Sequence, residues 1–175
     1  MDGLGRYVQK ILDWDILEKH GKRLNKLCGI EVPDLFSLPY KTLKKDIPKL
    51  LVSQDLNKVL YIVLNHVKKC NFVRIVLTKK KKRIYFLLWI LEQYDKINQM
   101  EKVQLKTTIN PKWINAGIRK LEVLEDFNLI DTITKDYNYT HKDAELLPYA
   151  VIYSIQLKNK IIGDVQAKMR KNDKI

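Results

Sequence analysis

Lys79-Lys80-Lys81-Lys82-Arg83 places five cations in succession. The chemistry such a run offers is electrostatic, because ammonium and guanidinium groups bind phosphate oxygens and displace their counter-ions. Side chains able to pair with a base edge accompany it. On a helix read over 53–69, the apolar stripe Leu56, Val59, Leu60, Val63, Leu64 and Val67 leaves Gln54, Asp55, Lys58, Tyr61 and Asn65 on the other side. Gln and Asn fit adenine, and Lys fits guanine or phosphate. Lys44 and Lys45, on the shorter segment upstream, add phosphate contacts. A matching set, Lys112, Asn115 and Arg119, lies on a helix read over 111–127, but Glu122, Glu125 and Asp126 follow it closely.

The surrounding charge separates these two sets. Residues 1–40 carry 6 basic against 6 acidic side chains, 41–83 carry 13 against 2, and 84–175 carry 14 against 12, which accounts for all 33 basic and 20 acidic residues and the net charge of +13. The surplus therefore sits in one stretch, an electrostatic footprint for a phosphate-rich partner. Residues 84–157 carry 8 basic against 10 acidic side chains, so the second set suits a protein contact better than a phosphate contact.

Other chemistry finds little support. His20, His66 and His141 stand apart, with no His-Glu-x-x-His pattern and no Gly-rich loop to cradle a nucleotide. Cys28 and Cys70 form neither a Cys-x-x-Cys clip nor a disulfide framework. The sequence calls for no enzyme, no metal and no cofactor. Tyr85, Phe86 and Trp89 read as core rather than as a stacking platform. The amino terminus has no apolar signal region, and the longest apolar run, 84–91, is far too short to span a bilayer. An intracellular protein with reduced thiols and no membrane partner is expected.

The elements that must position these residues read as mainly helical, since only 6 Gly and 5 Pro punctuate 175 residues. Sliding the chain against itself by 57 positions sets Ser53 over Asn110, Leu64 over Leu121 and Asn71-Phe72-Val73 over Asn128-Leu129-Ile130. Each copy reads as a short amphipathic segment (42–51 and 99–108), a turn, and a longer helix. Each longer helix opens on an N-cap residue and leaves through a left-handed Asn, with a strand after it. In the second copy a helix with apolar face Ile84, Leu87, Leu88, Leu91 and Tyr94 comes first. There, 131–137 and 149–157 alternate as a hairpin with its tip at 138–148. In the first copy 72–77 reads as a strand, residues 1–40 supply opening helices, and the tail 158–175 is a basic helix or frayed end.

Leu124-Glu125-Asp126-Phe127-Asn128-Leu129-Ile130 resembles the Leu-Glu-x-x-Gly-Leu-Ile ending of the recognition helix in winged-helix regulators of the MarR and ArsR kind, with Asn128 in place of Gly. The resemblance implies an α+β, mainly helical, tandem winged helix-turn-helix. Its parts would be a basic module at 1–82, a second winged module at 83–157, and the tail 158–175. It implies a transcription regulator bound to duplex DNA, with a homodimer or a protein of the transcription machinery as further partner. The same organisation is similar to initiation-factor-E-like, polymerase-associated proteins and to replication initiators, which gives the alternative readings.

Overall fold

The computed structural model describes residues 23–106 and 125–172. They fall into two compact units, one ending at Ile97 and the other beginning at Asn98. The chain is mainly helical, with one two-stranded sheet among the described residues. The sequence-based limits at 82/83 and 157/158 fall inside the helices Lys80–Gln104 and Tyr149–Asn172.

Unit 1 opens, within the described residues, on an antiparallel hairpin. Strands β1 (Lys26–Leu27) and β2 (Ile30–Glu31) pair Lys26 with Glu31 and Leu27 with Ile30. Leu27 and Ile30 are buried while Lys26 and Glu31 face water, the alternation a half-buried ribbon requires. Opening helices were expected over 1–40; residues 23–39 form this hairpin and turns instead, and residues 1–22 lie outside the described residues. A π-helical turn, Thr42–Asp46, then runs into helix α1 (Ile47–Val52). Pro48 explains the widened turn: it has no N–H to give, its ring crowds the carbonyl four residues back, and the Ile47 N–H reaches back to the Thr42 carbonyl.

Helix α1 ends where the Ser53 hydroxyl donates to the Leu50 carbonyl (3.1 Å). Gln54 takes a left-handed φ of +61°, and Asp55 caps helix α2 (Leu56–Val67). The helix expected over 53–69 is thus present but shorter, because Ser53 closes α1 rather than opening α2. Helix α2 buries Val59, Leu60, Val63 and Leu64 against α1, β2 and the helix that follows. Helix, three-residue turn, helix is the order of a helix-turn-helix.

The strand expected over 72–77 is a helix, α3 (Phe72–Leu77). Its Val, Ile and Phe content carries local β propensity, but Asn71 overrides it. Read from sequence as the left-handed exit of the preceding helix, Asn71 has φ −79° and caps α3, its side chain accepting from the Val73 N–H (2.9 Å). Ile75 is the buried residue of α3, and Phe72 meets Tyr61 edge-on at 5.7 Å. Val73, Val76 and Leu77 stay outside.

Helix α4 (Lys80–Gln104) starts four residues before the sequence-based estimate and is buried on every face from Tyr85 to Ile90, rather than along one stripe. Phe86 and Trp89 stack at 5.7 Å, as core. From Asn98 onward this helix belongs to unit 2.

Unit 2 also departs from the expected wing. Residues 131–137 lie in helix α5 (Glu125–Tyr137), the tip contains helix α6 (His141–Leu146), and 149–157 lie in helix α7 (Tyr149–Asn172). Period two and period 3.6 share many positions over so few residues, and burial shows which one operates. Ile130 and Ile133 are buried three apart, as are Tyr149, Ile152 and Tyr153 at helical spacing, while Val151, which the alternation placed inside, is 42% exposed. An Asp131–Lys135 pair (2.6 Å) braces α5. The helix passes through Asn128, where the winged-helix resemblance placed its end; the left-handed Asn that closes it is Asn138, φ +56°. The tail is helical to Asn172.

A second internal echo becomes visible only with the elements in place. Asp34-Leu35-Phe36-Ser37-Leu38-Pro39-Tyr40 in unit 1 matches Asp143-Ala144-Glu145-Leu146-Leu147-Pro148-Tyr149 in unit 2. In both, the first apolar residue (Leu35, Ala144) is fully buried and the Tyr is buried. In both the Pro carbonyl opens a helix, accepting from Leu43 N–H (3.0 Å) and from Val151 and Ile152 N–H (2.9 and 3.3 Å). Proline suits that place, where its missing N–H costs nothing. Tyr149 then donates to Glu101 and Tyr153 to Gln104 (2.5 Å), both on the last turns of α4. Burial, then the nearby Glu101 charge, pushes the Tyr153 hydroxyl above its ordinary range.

Candidate nucleic-acid interface

The amino-terminal turn of α2 is built around Asp55. Its carboxylate accepts from the Lys58 backbone N–H (3.3 Å) and pairs with Lys58 Nζ (2.6 Å). The Lys58 side-chain hydrogen bond, opposed by some burial, holds the Asp55 carboxyl below its ordinary value. One residue into the helix, Asn57 Oδ1 accepts from Arg83 Nη1 (2.7 Å). Arg83 therefore fastens the first turn of α4 beside the first turn of α2. Two helix amino termini, each a positive dipole end, come to lie together.

The basic run surrounds that junction. The Lys79 carbonyl accepts from the Lys82 and Arg83 N–H groups (2.9 and 3.2 Å), so Lys79 to Arg83 form the opening turn of α4 rather than a linker or hairpin tip ahead of it. Lys79, Lys80, Lys81 and Lys82 are exposed, Arg83 is half-buried, and Lys81 Nζ lies 5.7 Å from the Tyr85 ring. Four cations at the positive end of a helix dipole oppose it by a few tenths of a kcal/mol each. An external polyanion removes that penalty.

The other sequence-predicted residues divide. Gln54 is exposed in the turn ahead of α2 and Lys58 is exposed on its first turn, both beside the junction. Tyr61 is half-buried against Phe72, and Asn65 accepts from the Cys70 N–H (3.3 Å), so both serve the α2–α3 packing. Lys44 and Lys45 are half-buried on the π turn, with Lys44 Nζ 5.8 Å from the Tyr94 ring. Lys112, Asn115 and Arg119, and residues 111–124 of the helix read over 111–127, lie outside the described residues. No family model, no curated protein and no solved structure matches this chain.

Sequence reasoning missed Asn57. Its signal was weak, a polar residue at the second position of a helix whose start had been set two residues early. Lys41, Lys49, Lys68 and Lys69 are further exposed cations of unit 1. Unit 1 as a whole holds 20 basic against 10 acidic residues, and unit 2 holds 13 against 10. Among the described residues no three His, Cys, Asp or Glu side chains group to hold a metal, and no helix is long and apolar enough to cross a membrane. His66 is exposed on the last turn of α2; His141 stacks on Phe127 (5.3 Å) and lies 3.9 Å from Asp131.

Proposed function

We propose that this chain binds duplex DNA through unit 1, as a helix-turn-helix protein acting in transcription regulation. The Arg83–Asn57 hydrogen bond carries the reading, because it sets a five-cation turn against the start of the second helix of a helix–turn–helix pair. Helix α2 would enter the major groove by its amino-terminal end, with Gln54 and Lys58 at base edges and Lys79, Lys80, Lys81 and Lys82 on the flanking phosphates. The reading keeps the helix-turn-helix and drops the wing, since 131–137 and 149–157 are helical.

Titrating a labelled duplex at several salt concentrations tests this. If roughly 5 to 7 phosphates are neutralised, log K falls against log salt with a slope of about −4.5 to −6. A flat response, or no binding at low salt, overturns the proposal. Replacing Lys79, Lys80, Lys81 and Lys82 together by Ala should weaken binding to every sequence alike and leave the melting temperature nearly unchanged, as phosphate contacts position without specifying.

A second reading, contact with a protein of the transcription machinery, is favoured by the outer stripe of α7. Ile161, Ile162, Val165 and Met169 are each 45% exposed or more, on one side of a helix that also carries Lys158, Lys160, Lys168 and Arg170. Size-exclusion profiles with and without duplex separate the two: a shift with DNA alone supports the first reading.

A further inference from the structure

The tip of the β1–β2 hairpin is held against α3. Cys28 and Gly29 turn the chain with φ of +53° and +78°. The Cys28 Sγ then lies 3.3 Å from the Thr78 hydroxyl and 3.8 Å from the Arg74 carbonyl. A Cβ on Gly29 would meet the Arg74 guanidinium at 3.9 Å. Cys70 reaches the same helix from its other end, just ahead of the Asn71 cap, with its Sγ 3.8 Å from the Asn71 carbonyl. The Asn71 carbonyl accepts from the Arg74 N–H (3.1 Å), so the two sulfurs sit over a single turn of backbone. The Cys28 thiol is among the neighbours that push the Cys70 thiol up, so each sulfur lies within the other's electrostatic reach. Both are half-buried, and both are free.

We propose that Cys28 and Cys70 form a reversible intramolecular disulfide by exchange with a low-molecular-weight disulfide such as oxidised glutathione. One thiolate attacks a sulfur of the small disulfide, its S–S bond breaks, and one small thiolate leaves. The second protein thiolate attacks the protein-side sulfur of the mixed disulfide and expels the other. Overall, the protein gives up two electrons and two protons, and the small disulfide becomes two thiols. Burial, then the neighbouring Cys28, push the Cys70 thiol up. Cys70 is therefore the poorer first nucleophile, so Cys28 attacks first and Cys70 resolves. The bridge ties the hairpin to the entrance of α3 across 42 positions of sequence (28 to 70), on contacts already made in the reduced chain. It needs no nucleic acid, so it stands whether or not unit 1 binds DNA.

The test uses the full chain, reduced and then incubated without oxygen with oxidised glutathione. Mass spectrometry after alkylation should find a monomer lighter by two hydrogens with both cysteines protected, returned to two alkylatable thiols by dithiothreitol. The oxidised form should melt at higher temperature than the reduced one. Cys70→Ser should retain glutathione stably on Cys28, and Cys28→Ser should react more slowly. Glutathione on both cysteines of the native chain, a bridge between two chains, or two thiols still open to alkylation would each overturn the proposal, and none of these readings depends on a variant folding.

Discussion

Within one run of like charges, the five side chains divide by what they touch. Arg83 is a structural cation: it holds Asn57 at 2.7 Å, and its Nε is buried with no partner among the described residues. Arg83→Ala should lower stability by about 1–2 kcal/mol in urea unfolding, the scale of a lost hydrogen bond from a charged donor. Lys80→Ala should stay within about 0.5 kcal/mol, as an exposed surface change does. At the turn between α1 and α2, Gln54 occupies a left-handed conformation that suits glycine. Gln54→Gly should therefore raise the melting temperature, and if affinity for duplex is lost at the same time, Gln54 reads a base. Asp55 ties up Lys58, which makes Asp55→Asn informative. Asparagine still caps the helix, so fold is kept, but Lys58 is released and binding should strengthen roughly threefold at low salt, less so as screening rises. The same change alters acid sensitivity. The Asp55 carboxyl is depressed in the folded chain, so its stabilisation is complete above the unfolded value near about pH 4 and disappears as pH falls through the lower folded one. Asp55→Asn should remove that part of the acid limb in a pH-unfolding curve.

Helix starts and stops decided which elements could be read from sequence. Helix α2 was legible because Val59, Leu60, Val63 and Leu64 recur at helical spacing over nearly two turns. Helix α4 was legible because Ile84, Leu87, Leu88, Leu91 and Tyr94 recur at spacings of three and four, although its burial from Tyr85 to Ile90 extends to every face. Short elements were not: six residues of α3 offer β-branched side chains and one buried contact, so the cap decides, and Asn caps a helix as readily as it ends one. Asn71→Ala should accordingly destabilise the chain by roughly 0.5–2 kcal/mol, with Asn71→Asp close to neutral, read by denaturant midpoint. In unit 2 the expected strands fail because alternation over seven to nine residues cannot exclude a helix, and Pro148, which reads as the end of a hairpin tip, opens α7. Of the candidate site, the basic run and Lys58 were readable as residue types. Their meeting was not, since it rests on Asn57 and Arg83, 26 positions apart.

At the scale of the whole molecule, charge and apolar surface are both unevenly spent. A net charge of +13 means that two copies repel at low ionic strength. The same charge is what draws a polyanion, and the outer stripe of α7 remains uncovered among the described residues. Salt acts on all three together: the screening length shrinks from about 10 Å at 0.1 M to about 3 Å at 1 M. On the proposed function, the conditions that would release nucleic acid from unit 1 are also the conditions that remove the barrier between one α7 and another. Light scattering across a salt series should show the free protein growing in apparent mass as its affinity for duplex falls, and Ile162→Lys should suppress that growth without changing the salt slope. Colloidal behaviour thus inverts the usual handling rule. The expected optimum is dilute buffer, with a high-salt eluate the solution in which association through α7 should be greatest.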